Sequence, residues 1–193
     1  MKATLRTNID NTLKAIKGVK ELEGMDVLVG ITEETASREE GEVNNAQLVA
    51  WHTKGVRTNS MKREMDATVE EGGTYNEAMS LYITSHGSPL WKIPPRPIIE
   101  PAIEASGNKE RIEEDLKIAA QHMLAGDSAN AVDALHRAGT DAMNIVKLWF
   151  DDARNNWPDI SDKTKKAKGS TKILVDSSQM KNAITYVVDV KGK

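Results

Sequence analysis

The chain has 193 residues, 39% hydrophobic and 28% charged, so its composition is that of a globular domain rather than a disordered or membrane-spanning chain. Only 4% of residues are aromatic, with a single Phe, which leaves core packing chiefly to Leu, Ile, Val, Ala and Met. The absence of cysteine excludes disulfides, thiolate metal sites and cysteine nucleophiles, and the formal net charge of −3 supplies no overall basic field for nucleic acid.

Residues 3–22 predict a helix, because Leu5, Ile9, Leu13, Ile16, Val19 and Leu22 recur every three or four positions and form one apolar stripe, a core or interface face. The opening MKATLRTNID has no apolar centre of the signal-peptide kind. No apolar run approaches the roughly 18 residues of a membrane span. A soluble protein made in a cytoplasm is therefore expected. Gly24 stops the helix, and residues 25–31, short and β-branched, predict a strand. The polar, acidic residues 33–42 read as an exposed loop. Asn44 or Asn45 is placed to cap a short helix through Ala46, Leu48, Val49 and Trp51 that ends near Gly55.

Residues 56–90 carry the weakest pattern. They are polar, with Gly72 and Gly73 at the centre. The alternation Met79, Leu81, Ile83 suggests a strand, half of a hairpin turning at the glycines. Ile93-Pro94-Pro95-Arg96-Pro97 predicts a stiff, extended connector, and Pro97 or Pro101 opens a short helix to Ala105. Two strong helices follow, residues 108–124 and residues 128–155, with Ser128 as the N-cap of the second. The small residues Ala138, Gly139 and Ala142 invite close approach by another backbone. Residues 156–170 read as a polar, lysine-rich loop. The tail predicts a strand at 172–175, a turn or short helix at 176–184, and a strand at 185–190. The expected whole is one α+β domain over residues 1–193: a small, mostly antiparallel sheet packed with a long N-terminal helix and two long central helices, plus an extended loop or hairpin at 58–90.

The sequence has no H-E-x-x-H, no glycine-rich phosphate loop and no nucleophile elbow. None of His52, His86, His122 and His136 stands three or four residues from another, so no helix presents a pair of imidazoles to a metal. The acidic clusters Glu113-Glu114-Asp115 and Asp151-Asp152 read as solvated faces and helix-end electrostatics. No catalytic constellation, cofactor site or metal site is predicted. Lys163, Lys165, Lys166 and Lys168 have two readings: a solvated loop, or a contact with DNA phosphates or an acidic neighbouring subunit.

Three segments, in order, carry a resemblance. The first is Val27-Leu28-Val29-Gly30-Ile31, followed by a helix ending Trp51-His52-Thr53-Lys54-Gly55. The second is Ile93-Pro94-Pro95-Arg96-Pro97-Ile98-Ile99-Glu100-Pro101-Ala102. The third runs from Lys172-Ile173-Leu174-Val175-Asp176-Ser177-Ser178 through Ile184-Thr185-Tyr186. Together they resemble the tail-completion and neck proteins of tailed bacteriophages, in which a "VGI" strand precedes a helix ending "HExG", an "IPPRPFLRPA" motif leads into helices, and the chain closes "PLxDTGxLxxSITYxV". The resemblance covers about two thirds of the chain. Its departures are Thr53 for the Glu, Ile98-Ile99 for Phe-Leu, and Ser177-Ser178 for Thr-Gly.

The resemblance implies a structural virion protein at the head-tail junction, with residues 58–90 as an insertion. Gly30, His52, Gly55, Pro94, Pro95, Arg96, Pro97, Asp176, Thr185 and Tyr186 are then structural motif positions. It further implies a ring of identical subunits, six-fold with twelve-fold as the alternative, around an open channel for phage DNA that is passed without regard to sequence. Head-closure or adaptor proteins and tail terminator or tube proteins would adjoin it; no membrane is involved. A tail terminator is the alternative within this class. A small DNA-binding regulatory protein and an enzyme of unrecognised type are the alternatives outside it.

Overall fold

The computed structural model describes residues 2–38, 43–87 and 90–190. The fold is α+β, 64% helical with small antiparallel strand pairs. Its frame is a sheet of two strands, β1 (Met25–Gly30) and β4 (Thr185–Val190), backed by long helices. The register sets Met25 opposite Val190 and Gly30 opposite Thr185, so the chain's first strand pairs with its last. Met25, Val27 and Val188 face inward onto Ala119, Ala134 and Leu135 of the helices behind. Leu28 and Val187, directly opposite each other, are exposed on the outer face.

Helix α1 (Lys2–Glu23) leads into β1, and packs on α7 (Asn108–Leu124), which packs in turn on α8 (Ser128–Trp149). The bounds of α7 are those read from its periodicity. Helix α8 is capped by Asp127, whose carboxylate accepts from Asn130 N, rather than by Ser128. It stops at Trp149; a separate 3-10 turn, Ala153–Asn155, follows it. The buried face of α8 carries four alanines, Ala131, Ala134, Ala138 and Ala142, which lets α7 and the sheet lie close. Gly139 belongs to the same face: a Cβ there would sit 2.2 Å from the ring of Tyr186 on β4.

Of the α1 stripe, Leu5 and Ile9 have side chains outside those described, and the centre of the stripe does not enter the core of this chain. Gly18 is the buried contact, where a Cβ would come within 2.3 Å of the Met123 carbonyl oxygen, so close backbone packing on α7 sets the orientation of the helix. Leu13, Ile16 and Val19 are left exposed, at 60%, 49% and 44%.

The acidic stretch after β1 holds one turn of helix, α2 (Glu33–Ala36), where a loop was expected; the rest of that expected loop reaches residues outside those described. Helix α3 (Asn45–Lys54) forms as predicted, with Asn44 Oδ1 accepting from Gln47 N and Gln47 Oε1 accepting from Asn44 N.

Residues 56–90 are the main correction. The expected strand through Met79, Leu81 and Ile83 is helix. α4 (Asn59–Glu70) and α5 (Tyr75–His86) form a helical hairpin that turns at Gly72 and Gly73. Thr74 and Glu77 make the N-terminal capping pair of α5, Thr74 N donating to Glu77 Oε2 at 2.7 Å. The hairpin has its own cluster of Met61, Met65, Ala78 and Tyr82, separate from the main core. Its base is a second antiparallel pair, β2 (Val56–Arg57) with β3 (Trp91–Ile93).

The proline connector leads into α6 (Ile99–Glu104), with Pro101 in its first turn. The lysine-rich stretch contains a short helix, α9 (Asp162–Lys168), capped by Ser161, where a loop was expected. The expected strand at 172–175 is a turn with Leu174 at φ 58°, a backbone state no strand residue adopts. One helical turn, α10 (Gln179–Asn182), then precedes β4. The main core gathers Ile98, Ala102, Ile145, Val146, Trp149, Phe150, Trp157, Met180 and Ile184, and so holds the single Phe and two of the four Trp.

Candidate functional site

The first two motif segments meet at one place, the C-terminal end of α3. Gly55 closes that helix at φ 73°, and a Cβ there would lie 2.9 Å from both the Ile93 carbonyl oxygen and Pro95 Cδ. Two demands thus fix glycine at this position: a left-handed backbone and the proline segment crossing above. Arg96 N donates to the His52 carbonyl oxygen at 2.6 Å, which satisfies one of the free carbonyls of the α3 terminus.

The Arg96 side chain is 4% exposed. Its Nε donates to the Pro158 carbonyl oxygen at 2.9 Å and its Nη2 to the Asp159 carbonyl oxygen at 3.2 Å. Trp157 returns the contact, with Nε1 donating to the Pro97 carbonyl oxygen at 2.9 Å. The Trp157 ring meets Phe150 edge-on, centroids 5.7 Å apart. Arginine, tryptophan and three prolines therefore clamp residues 94–97 against residues 157–159, some 60 positions along the chain.

Burial lowers the pKa of Arg96 from its ordinary value, with the Asp159 charge opposing that effect; a guanidinium remains charged throughout the physiological range. Burial also lowers His52, and the Arg96 charge adds to it. His52 is thus held neutral in the folded chain, with its Nδ1 buried and making no hydrogen bond. A basic group lowered on folding binds fewer protons folded than unfolded. Stability contributed here is complete above the unfolded value of 6.5 and is lost as pH falls from there through the folded value. Chemical denaturation between pH 7.5 and pH 5, in roughly half-unit steps, is expected to show this loss, and His52→Gln flattens the same limb.

A cleft of about 500 Å³ opens beside this clamp, lined in part by His52, Pro94, Arg96, Lys168 and Asp176. Five predicted motif and lysine positions therefore share one surface. The lysines divide. Lys165 is bonded to the Asp159 carboxylate, raising the lysine pKa and lowering that of the aspartate, chiefly through the side-chain hydrogen bond. Lys168 Nζ donates to the Lys172 carbonyl oxygen at 2.7 Å. Lys163 and Lys166 are exposed on α9.

The closing motif lies at two places. Asp176 is exposed at the cleft wall, and Ser178 next to it has φ 62°. A left-handed backbone there favours glycine over serine. Ser178→Gly is expected to raise the unfolding free energy by about 0.5–1 kcal/mol, since relief of the left-handed strain outweighs the added freedom of the unfolded chain. A urea titration measures it; a decrease would remove strain as the account of this position.

Thr185 and Gly30 form the last pair of the β1–β4 register. The Tyr186 ring covers Gly139, and its hydroxyl lies 3.3 Å from His136 Nδ1. Asp151, just past α8, accepts from Lys181 Nζ at 2.7 Å and Lys172 Nζ at 3.0 Å, which lowers its pKa and ties α8 to α10.

What sequence reasoning missed is the other half of the clamp. Trp157 and the carbonyls of Pro158 and Asp159 were read as loop. The available signal was Trp157 itself, a large aromatic in a polar stretch beside Pro158. Among the described residues, no cluster of three or more His, Asp or Glu is placed to hold a metal ion, and no helix is long and apolar enough to cross a membrane. The arrangement's evident chemistry is cohesion: polar side chains bind main-chain carbonyls and hold distant segments together. No family model matches the chain, and no curated protein or solved structure is detectably similar to it.

Proposed function

We propose that the chain is a structural subunit of a tailed bacteriophage, a ring-forming neck or tail-completion protein around the DNA channel at the head-tail junction. The observation that carries this reading is the role of Arg96. The most specific motif residue of the resemblance is buried and spends its hydrogen bonds on the main chain of residues 158 and 159, a scaffold role rather than a reactive one. His52 and Gly55 of the first segment meet Pro94–Pro97 of the second at the same point, as parts of one unit should.

The surface suits a subunit completed by copies of itself. Leu13, Ile16, Leu28, Leu81 and Leu148 are all more than 45% exposed, and contacts between copies would cover them. No third strand joins β1 and β4 among the described residues, so this pair can extend into a neighbour's sheet. A ring of six, or of twelve, with head-closure and tail proteins on its two faces, follows from the resemblance. DNA passes through the ring; with Lys165 and Lys168 bonded within the chain, only part of the lysine cluster is left to attract phosphate.

Electron microscopy of lysates from the phage with an early stop codon in this gene tests the reading. Separate DNA-filled heads and tails of normal length are expected. Tails of abnormal length would make the protein a tail terminator, and a normal yield of infectious virions would overturn the structural role.

A further inference from the structure

Two surfaces of this chain are complementary, and neither has a partner among the described residues. One is the outward face of α1. At 100° per residue, Leu13, Ile16 and Val19 span one side of the helix, with Lys20 among them and Lys17 at the border. All five are exposed, and Lys17 makes only a long contact, 3.6 Å, with Glu21 on its own helix. The other is an open groove across the α4–α5 hairpin, lined by Thr68, Glu71, Gly73, Glu77, Ser80 and Leu81. Leu81 is 57% exposed in it, and the two carboxylates stand at its rim. Residues 59–86 carry five carboxylates against two cations, and so bear an acidic excess of the same size as that of the whole chain.

We infer that the α4–α5 hairpin of one copy docks on the α1 face of the next, with Ile16 and Val19 in the groove against Leu81 and Lys17 and Lys20 beside Glu71 and Glu77. The inference rests on the ring reading and names the contact that builds it. Charge decides among the pairings of these apolar faces. Face-to-face association of two α1 helices brings lysines together, and association of two hairpins brings carboxylates together. Hairpin on α1 sets opposite charges side by side, and like charges in register cost while opposite ones steer and fix the match. The two surfaces differ, so the contact is head-to-tail, the type that generates a closed ring when its rotation closes. It also gives the helical hairpin a purpose: its small separate core keeps it folded as an arm, attached to the rest of the chain through β2 and β3.

The test uses two full-length variants, each with one surface spoiled: Ile16→Glu on α1 and Leu81→Lys in the groove. Both side chains are exposed, so far-UV circular dichroism is expected to match the wild type. By sedimentation equilibrium up to about 1 mM, the wild-type chain is expected to self-associate, more weakly as salt rises. Each variant alone is expected to associate at least about thirtyfold more weakly. An equimolar mixture is expected to form a 1:1 dimer and nothing longer, because it holds one intact hairpin and one intact α1 face that can meet. Unchanged association of either variant, a mixture no tighter than its components, or a wild-type chain monomeric at the top concentration would each overturn the contact. The ring reading fails separately: virions that assemble normally without the protein sink it, whereas rings that persist in both variants sink only this contact.

Discussion

Trp157→Ala is expected to lower the unfolding free energy by about 4 kcal/mol, read as a shift in the midpoint of urea unfolding at constant slope. Trp157 is buried in the main core, and truncation leaves a cavity beside Phe150 while the Pro97 carbonyl loses its donor. Removing a buried large aromatic costs about 3–5 kcal/mol by itself, and an orphaned acceptor adds to that. Trp157→Phe separates the parts. It keeps most of the packing and loses the hydrogen bond, so a cost of about 1–2 kcal/mol is expected. Equal costs for the two variants would mean that the bond to Pro97, not the packing, holds the clamp. A cost below about 1 kcal/mol for the alanine variant would mean that residues 157–159 do not brace the proline segment at all.

That clamp marks the boundary of what the sequence made legible. Helix α7 was readable to the residue because its apolar spacing and flanking glycines agree. The fold class was readable too, since a strand at each end of a helical chain has few places to pair. The orientation of α1 was not. Its aliphatic stripe is the stronger periodic signal, but Gly18 permits a backbone approach on α7 that no aliphatic face matches, and packing overrode the pattern. Residues 56–90 were misread for a different reason. The helices there bury Met61, Met65, Ala78 and Tyr82, a set with little aliphatic content, while the alternation of Met79, Leu81 and Ile83 imitated a strand. The Thr74 and Glu77 capping pair was the local signal for helix. At 172–175 a β-branched run lacked a partner strand, and the turn at Leu174 took precedence. The acceptors of Arg96 lie 62 and 63 positions away, and spacing along the chain carries no trace of them.

The exposure of the α1 stripe bears on the proposed role. Several large aliphatic side chains lie outside the core: Leu13, Ile16 and Val19 on α1, the outer sheet pair Leu28 and Val187, and Leu81 on the hairpin. They stay exposed although the α8 face is well packed, with Ala131, Ala134, Ala138, Gly139 and Ala142 beside Leu135, Ile145, Val146 and Trp149. On the proposed ring reading, the exposed ones are available for contacts between chains. Periodicity reads burial, and it cannot distinguish burial within a subunit from burial between subunits.

Met65→Ala separates the hairpin from the body. Met65 is fully buried in a cluster that contains Met61, Ala78 and Tyr82 and draws on Met79 and Trp91 at its margin, but on no residue of the main core. Truncation of a buried methionine costs about 2–5 kcal/mol. A cluster this small has little reserve, so the loss falls on the hairpin before it falls on the rest of the chain. Amide hydrogen exchange is expected to show protection collapsing across residues 59–86 in this variant while α7 and α8 keep theirs. Self-association is expected to fall at the same time, because the groove that receives α1 exists only when α4 and α5 are packed. A uniform loss of protection over the whole chain would show that hairpin and body unfold as one unit, and the arm would then lack the independent stability its separate core implies. Collapse of the hairpin with self-association unchanged would leave the arm intact as a folding unit and remove it from the interface.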